Sequence, residues 1–169
     1  MTMNRRELET LLLTLESTPV LMARAAAGLS PAAARRRPAS GGFSFVENVW
    51  HLADLEREAF AVRIRRILSE DEPTLSNFDG ERIARERAYE VKEVAPGLEA
   101  FAHARRRNVE TLRAVAPSDW RRGAVQDEVG LVRLEDVPRR MAEHDRAHTA
   151  EVAALLDAIR GSQLSAVCC

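Results

Sequence analysis

The chain has 169 residues, 46% of them hydrophobic and 30% charged, a length and balance that suit one domain with its own core and a soluble surface. Its 25 basic and 26 acidic residues nearly cancel, which argues against a general affinity for nucleic acid or for an anionic membrane. No stretch approaches the roughly 20 apolar residues of a membrane span, and Met1 to Arg6 leads straight into a charged amphipathic pattern with no signal-peptide core.

Four long helical patterns organise the chain. The first runs from about Asn4 to Leu29, with Leu8, Leu11, Leu12, Leu15, Val20, Met22 and Ala26 as its apolar stripe. Ser30-Pro31 opens a short turn towards Arg37, since proline suits a first helical position, and Pro38 to Gly42 is a breaker cluster. Ser44-Phe45-Val46-Glu47 fits a capping box, which starts a second helix reaching Ser69 through Val49, Trp50, Ala53, Phe60, Ile64 and Ile67. Asp71 to Gly80 is a polar connection, and Glu81 to Val94 a short charged helix broken by Pro96-Gly97.

The third long helix is expected from Leu98 to Val115, stopped at Pro117. Trp120 to Val132 then reads as a long connection with room for a small hairpin between Gly123 and Val132. The fourth helix runs from about Leu134 to Ile159 and is expected to end at Gly161. The basic runs Arg35 to Arg37 and Arg105 to Arg107 read as solvated surface. The class is all-α, a four-helix bundle with long connections and one or two short extra helices. One domain over residues 1–161 is expected, with 162–169 as a frayed tail. That tail holds the only cysteines, Cys168 and Cys169, whose adjacency implies no structural disulfide. The cytoplasm is the expected location.

The chain has four histidines, and their placement carries the functional reading. His144 and His148 are one helical turn apart, on the stripe Leu134, Val137, Met141, His144, His148, Val152, Leu155 and Ile159. Both rings therefore face the interior, where an unpaired polar group costs roughly 1–3 kcal/mol. A divalent metal would meet that need, because neutral imidazole is a good ligand for zinc, nickel, copper or iron. A third ligand must come from elsewhere, and His51 on the second helix is the candidate. His103 falls on the polar side of the third helix and reads as surface. Glu151, one turn beyond His148, is a candidate fourth ligand or a hydrogen-bond acceptor that fixes a ring tautomer, and Asp54 could do the second job for His51. Plain surface charge is the default for Asp54, Glu143 and Asp145, and the cap accounts for Glu47.

Phe43-Ser44-Phe45-Val46-Glu47-Asn48-Val49-Trp50-His51-Leu52-Ala53-Asp54-Leu55-Glu56, followed much later by Glu143-His144-Asp145-Arg146-Ala147-His148, resembles the DinB/YfiT-like superfamily of metalloenzymes. The resemblance implies a four-helix bundle, often dimeric. It implies a divalent metal, zinc or nickel foremost, on His51, His144 and His148. Glu151 departs from the family pattern, which often has glutamine there. Some relatives use a low-molecular-weight thiol as co-substrate in isomerase or S-transferase reactions.

The expected function is thus a metal-dependent enzyme acting on a small molecule, a thiol-dependent transferase or isomerase. The alternatives are a metal-dependent hydrolase and a non-enzymatic metal-binding bundle that works through a protein partner. Three protein ligands leave metal positions open, as in catalytic sites; an open position could hold a thiol or a water. No basic cradle for the carboxylates of a thiol is identified; Arg57, Arg63 and Arg146 lie near the right helices.

Overall fold

The computed structural model describes residues 4–167. Helix α1 spans Arg5–Ala26, α2 Pro31–Ala34 and α3 Phe45–Leu55. After α3 the chain makes a single π-helical stretch, Glu56–Phe60, and continues as α4, Ala61–Ser69. A two-residue strand β1, Thr74–Leu75, precedes α5, Gly80–Glu86, and the long α6, Val94–Arg113. Strands β2, Gly123–Gln126, and β3, Gly130–Arg133, lead into α7, Val137–Val167. No helix among the described residues is long and apolar enough to cross a membrane.

Local chemistry explains the helix starts. Asn4 accepts from Glu7 N (2.9 Å) while Asn4 N donates to the Glu7 carboxylate (3.0 Å). Ser44 and Glu47 exchange the same pair of bonds at the head of α3, as the capping-box reading expects. Pro96 and Gly97 do not break a helix. They sit in the first turn of α6, where the leading N–H groups have no intrahelical partner and proline loses nothing. Gly97 is needed for close approach, since a Cβ there would meet Val49 Cγ1 at 2.8 Å. Gly161 does not end α7 either: the backbone stays helical to Val167. Cys168 and Cys169, the end of the expected tail, lie outside the described residues.

The four long helices form the bundle. α1 packs on α6 and α7, and α3 packs on the same two helices. α1 and α3 are thus on one diagonal and α6 and α7 on the other, which the long connections permit. The hairpin is formed in full: β2 pairs antiparallel with β3, from Gly123 opposite Arg133 to Gln126 opposite Gly130, and β1 adds in parallel to β2. Ala124 and Val132 face the core while Val125 and Leu131 face out, the period-two alternation of a half-buried sheet.

The core has two large apolar halves, with a smaller cluster of Ile83, Ala84 and Tyr89 beside them. One gathers Leu12, Leu15, Ile64, Ile67, Val109, Leu112 and Met141; the other gathers Met22, Phe45, Val49, Leu52, Phe101, Val152 and Leu155. Between them each helix of the bundle contributes a buried polar side chain: Thr18, Glu56, Arg105 with Asn108, and Asp145. Arg105 is 1% exposed. It donates to both Asp145 oxygens (2.6 and 2.8 Å) and to Glu56 Oε1 (2.8 Å). Thr18 donates to Asp145 (2.6 Å) and Asn108 to Glu56 (2.7 Å). Pro19, inside α1, has no N–H to give the carbonyl of Leu15, and Arg105 Nη1 donates to that carbonyl instead, at 2.8 Å. Burial pushes the Glu56 carboxyl up while Arg105 pulls it down; burial works to lower Arg105, and the two carboxylates beside it outweigh that and hold it firmly charged.

Three further residues lie elsewhere than expected. Arg105 is not solvated, because Glu56 and Asp145 neutralise it within the bundle. Asp145 is not surface charge, for the same reason. Val20, placed on the apolar stripe of the first helix, is 52% exposed; the buried face of α1 runs through Leu12, Leu15, Thr18, Pro19 and Met22.

Candidate metal centre

His51 projects from α3, and His144 and His148 from α7, into one space between the two helices. His51 Nε2 and His144 Nε2 are 3.2 Å apart. The His148 ring centroid lies 4.7 Å from that of His51 and 4.3 Å from that of His144. One nitrogen from each ring can be chosen so that all three lie within 4.8 Å of one another. The three residues proposed from the sequence are therefore brought together, whereas His103 is exposed on α6 beside Arg106.

The surroundings fix how each ring can act. Asn48 lies on α3 one turn before His51. Its Nδ2 donates to the carbonyls of Phe43 (3.3 Å) and Ser44 (3.1 Å), so its Oδ1 must be the atom facing His148 Nδ1, at 2.6 Å. That acceptor places the His148 proton on Nδ1 and leaves the Nε2 lone pair for the cluster. Glu151 approaches the same Nδ1, at 3.3 Å, and is 55% exposed. It thus stands on the outer side of the ring, as an acceptor rather than within the cluster. Asp54 does not reach His51 as an acceptor. Its carboxylate is fully buried and is taken by Arg57, by Arg87 (2.5 Å) and by the hydroxyl of Tyr89.

Aromatic side chains wall the site. Phe43 and Phe78 stand 5.4 and 5.9 Å from the His51 ring, and Phe60 lies edge-on to His144 at 6.4 Å. Behind His51, Gly80 leaves room that a side chain would fill. Burial, and then the other two histidines, push His51 down to about 3. Burial and His148 push His144 down to about 4, and burial lowers His148 against the pull of Glu151 and Asp145. All three rings are therefore neutral near pH 7, the form that ligates metal. Nδ1 of His51 and of His144 is buried with no hydrogen-bond partner among the described residues, and in His51 that atom lies on the Gly80 side of the ring while Nε2 is turned to His144. Neutral imidazoles that converge in this way suit a divalent cation.

The DinB superfamily model matches residues 14–152. This chain belongs to the DinB superfamily. A comparison with curated proteins gives no match. Among solved structures, this DinB chain is similar to YfiT from Bacillus subtilis, described as a probable metal-dependent hydrolase with an unusual four-helix bundle topology. The TM-score is 0.86 at 18% identity, over 94% of this chain and 90% of YfiT. It is also similar to a mutant of the mycothiol-dependent maleylpyruvate isomerase, with TM-score 0.69 at 11% identity, over 86% of this chain and 60% of that one. At these identities the likeness is one of fold.

Sequence reasoning missed Asn48, Phe43, Phe78 and Gly80. Asn48 carried a usable signal, since it lies one turn from His51 on a face that buries histidine. Phe78 and Gly80 reach the site from a connection whose path only the folded chain reveals.

Proposed function

We propose that this chain is a metal-dependent enzyme in which His51, His144 and His148 hold one divalent cation, zinc or nickel, and that it acts on a small-molecule substrate. The single observation that carries this reading is the convergence of three neutral imidazoles, those of His51 and His148 buried and that of His144 half-buried. A cation held there would supply Lewis-acid activation of a small nucleophile, either a thiol or water. The chain's own groups have definite tasks. Asn48 and Glu151 hold the His148 ring by its outer nitrogen. Phe43, Phe60 and Phe78 keep bulk water from the rings, which strengthens every electrostatic interaction inside. The Arg105 layer fixes the height of α7 against α3, and Asp145 neighbours His144 in sequence, so the ligand helix is held by that layer.

A thiol nucleophile would make the protein a transferase or isomerase, and one structural neighbour is named as a mycothiol-dependent isomerase. The hydrolytic reading has its own support: the neighbour described as a hydrolase matches over nearly the whole of both chains. Cobalt substitution separates them. With the thiol reading, adding mycothiol, bacillithiol or glutathione perturbs the cobalt absorption bands. Unchanged bands with every thiol, together with hydrolysis of a model ester, favour the water reading. Failure of both, in a protein that melts lower without metal, would point to a non-enzymatic bundle.

A further inference from the structure

Two arginines beside the histidine cluster meet no carboxylate among the described residues. Arg63, on α4, is one turn from Phe60, and its guanidinium carbon lies 5.6 Å from the centre of that ring. The same ring meets His144 at a near-perpendicular angle, with centroids 6.4 Å apart. Arg140 is one turn before His144 on α7, so the two share a face. Arg140 Nη1 donates to Gln126 Oε1 (3.1 Å), and Gln126 Nε2 donates to Asn77 Oδ1 (2.9 Å). Strand β2 and the segment that carries Phe78 thus hold this guanidinium in place.

Arg63 Nε is buried and donates to nothing among the described residues. Burial and the nearby charge of Arg140 both act against the Arg63 cation. Other arginines around this end of the bundle behave differently: Arg57 and Arg87 are paired with Asp54, and Arg105 with Glu56 and Asp145. Arg146, also near the site, donates to the carbonyl of Ala142 one turn back. A half-buried pair of like charges with an unused donor is an unfavourable arrangement in isolation. An oxyanion between the two guanidiniums removes the repulsion and fills the donor, because the guanidinium fork matches a carboxylate or a phosphoryl group.

We propose that Arg63 and Arg140 form an oxyanion-binding subsite next to the three-histidine centre, and that this subsite takes the carboxylate or phosphoryl group of the small-molecule substrate. The choice of a substrate as occupant rests on the metal-centre reading above; the binding of an oxyanion does not. The subsite orients the ligand: one end is held by the arginines while the rest extends past Phe60 towards the histidines.

The test is calorimetric titration of the full chain, zinc-loaded and metal-free, with malonate and with inorganic phosphate. Wild type should bind at least one of these in both forms, and the tighter of the two identifies the oxyanion class. Arg63→Gln and Arg140→Gln should each weaken that binding by roughly tenfold or more, the weight of a charge-assisted hydrogen bond, with zinc content unchanged. Arg63→Lys, which keeps the charge but loses the fork, should fall between wild type and Arg63→Gln. Malonate and phosphate affinities that are unmoved in folded, zinc-retaining variants would overturn the proposal, as would no binding of either probe by wild type. If zinc fails to bind but the metal-free chain still binds the oxyanion through both arginines, the metal reading fails and the subsite stands.

Discussion

Gly80 lies flat against the His51 imidazole: a Cβ at position 80 would stand 2.3 Å from Cε1 and 2.6 Å from Nδ1 of that ring. The ring's Nε2 is farther off, at 3.6 Å, and is the atom turned to His144. The head of α5, capped by Asp79, therefore acts as a backstop that aims His51 into the cluster. Gly80→Ala must push the ring forward or tilt it. Metal affinity should fall by about 10–100-fold, as for loss of a group that orients a ligand, while the helical content is kept. Competition against a chromophoric chelator measures this; an unchanged affinity would mean that the ring can shift without cost.

Asn48 and Glu151 both face the outer nitrogen of His148, and they should not be equivalent. Asn48 is buried at 2.6 Å, whereas Glu151 is 3.3 Å away and more than half exposed. Asn48→Ala is expected to weaken metal binding by about 10–100-fold, and Glu151→Gln to change it little. The same chelator competition ranks the two. A larger effect at position 151 would place that carboxylate among the metal ligands.

The histidine shifts set an acid limit on the metal-free fold. Burial and mutual repulsion lower His51 to about 3 and His144 to about 4 from 6.5. Between those values and 6.5 the unfolded chain binds more protons than the folded one, so stability rises with pH across that window. The contribution is full above pH 6.5 and is lost as pH falls towards 3. Urea titrations of metal-free protein at stepped pH should show the midpoint dropping below pH 6.5, and a His51→Ala variant should show a shallower drop. Parallel curves for the two proteins would remove His51 as a source of the acid sensitivity.

The polar layer should be sensitive to the loss of one member. Arg105→Met leaves Glu56 and Asp145 buried without their cation, and breaking a buried ion pair in this way costs about 3–5 kcal/mol. Thr18→Val, which removes a single hydrogen bond to Asp145, should cost about 1 kcal/mol. Because the layer holds α7 next to His144, Arg105→Met should also weaken metal binding in whatever fraction remains folded. Equilibrium unfolding with chelator competition reads both effects. Near-equal stabilities for Arg105→Met and wild type would mean that the layer is not what locks the helices in register.

The helices and the three histidines were legible because their signals are local: a capping box at Ser44, breakers at Pro38 and Pro117, and an imidazole pair on an apolar stripe. The polar layer was not, because an Arg, Asp or Glu in a single sequence reads by default as surface. A hint existed in α6, where Arg105 falls midway between Phe101 and Val109 on the buried face. Asp54 was misjudged for a related reason: its partners Arg87 and Tyr89 are more than 30 residues away, and no spacing rule joins them to α3. The hairpin was visible as an option, but the β1 strand that completes its sheet is two residues long, too short to show a pattern. Gly80 and Phe78 left no signal, since their role depends on how the connection after α4 folds back over His51.

The central claim is tested most directly by metal analysis of purified protein beside His51→Ala, His144→Ala and His148→Ala. The account expects a single divalent ion per chain in wild type and its loss in all three variants, with helical circular dichroism retained. Metal content that persists in the His51→Ala chain, or a wild type that takes up no divalent ion from a zinc or nickel buffer, would contradict it.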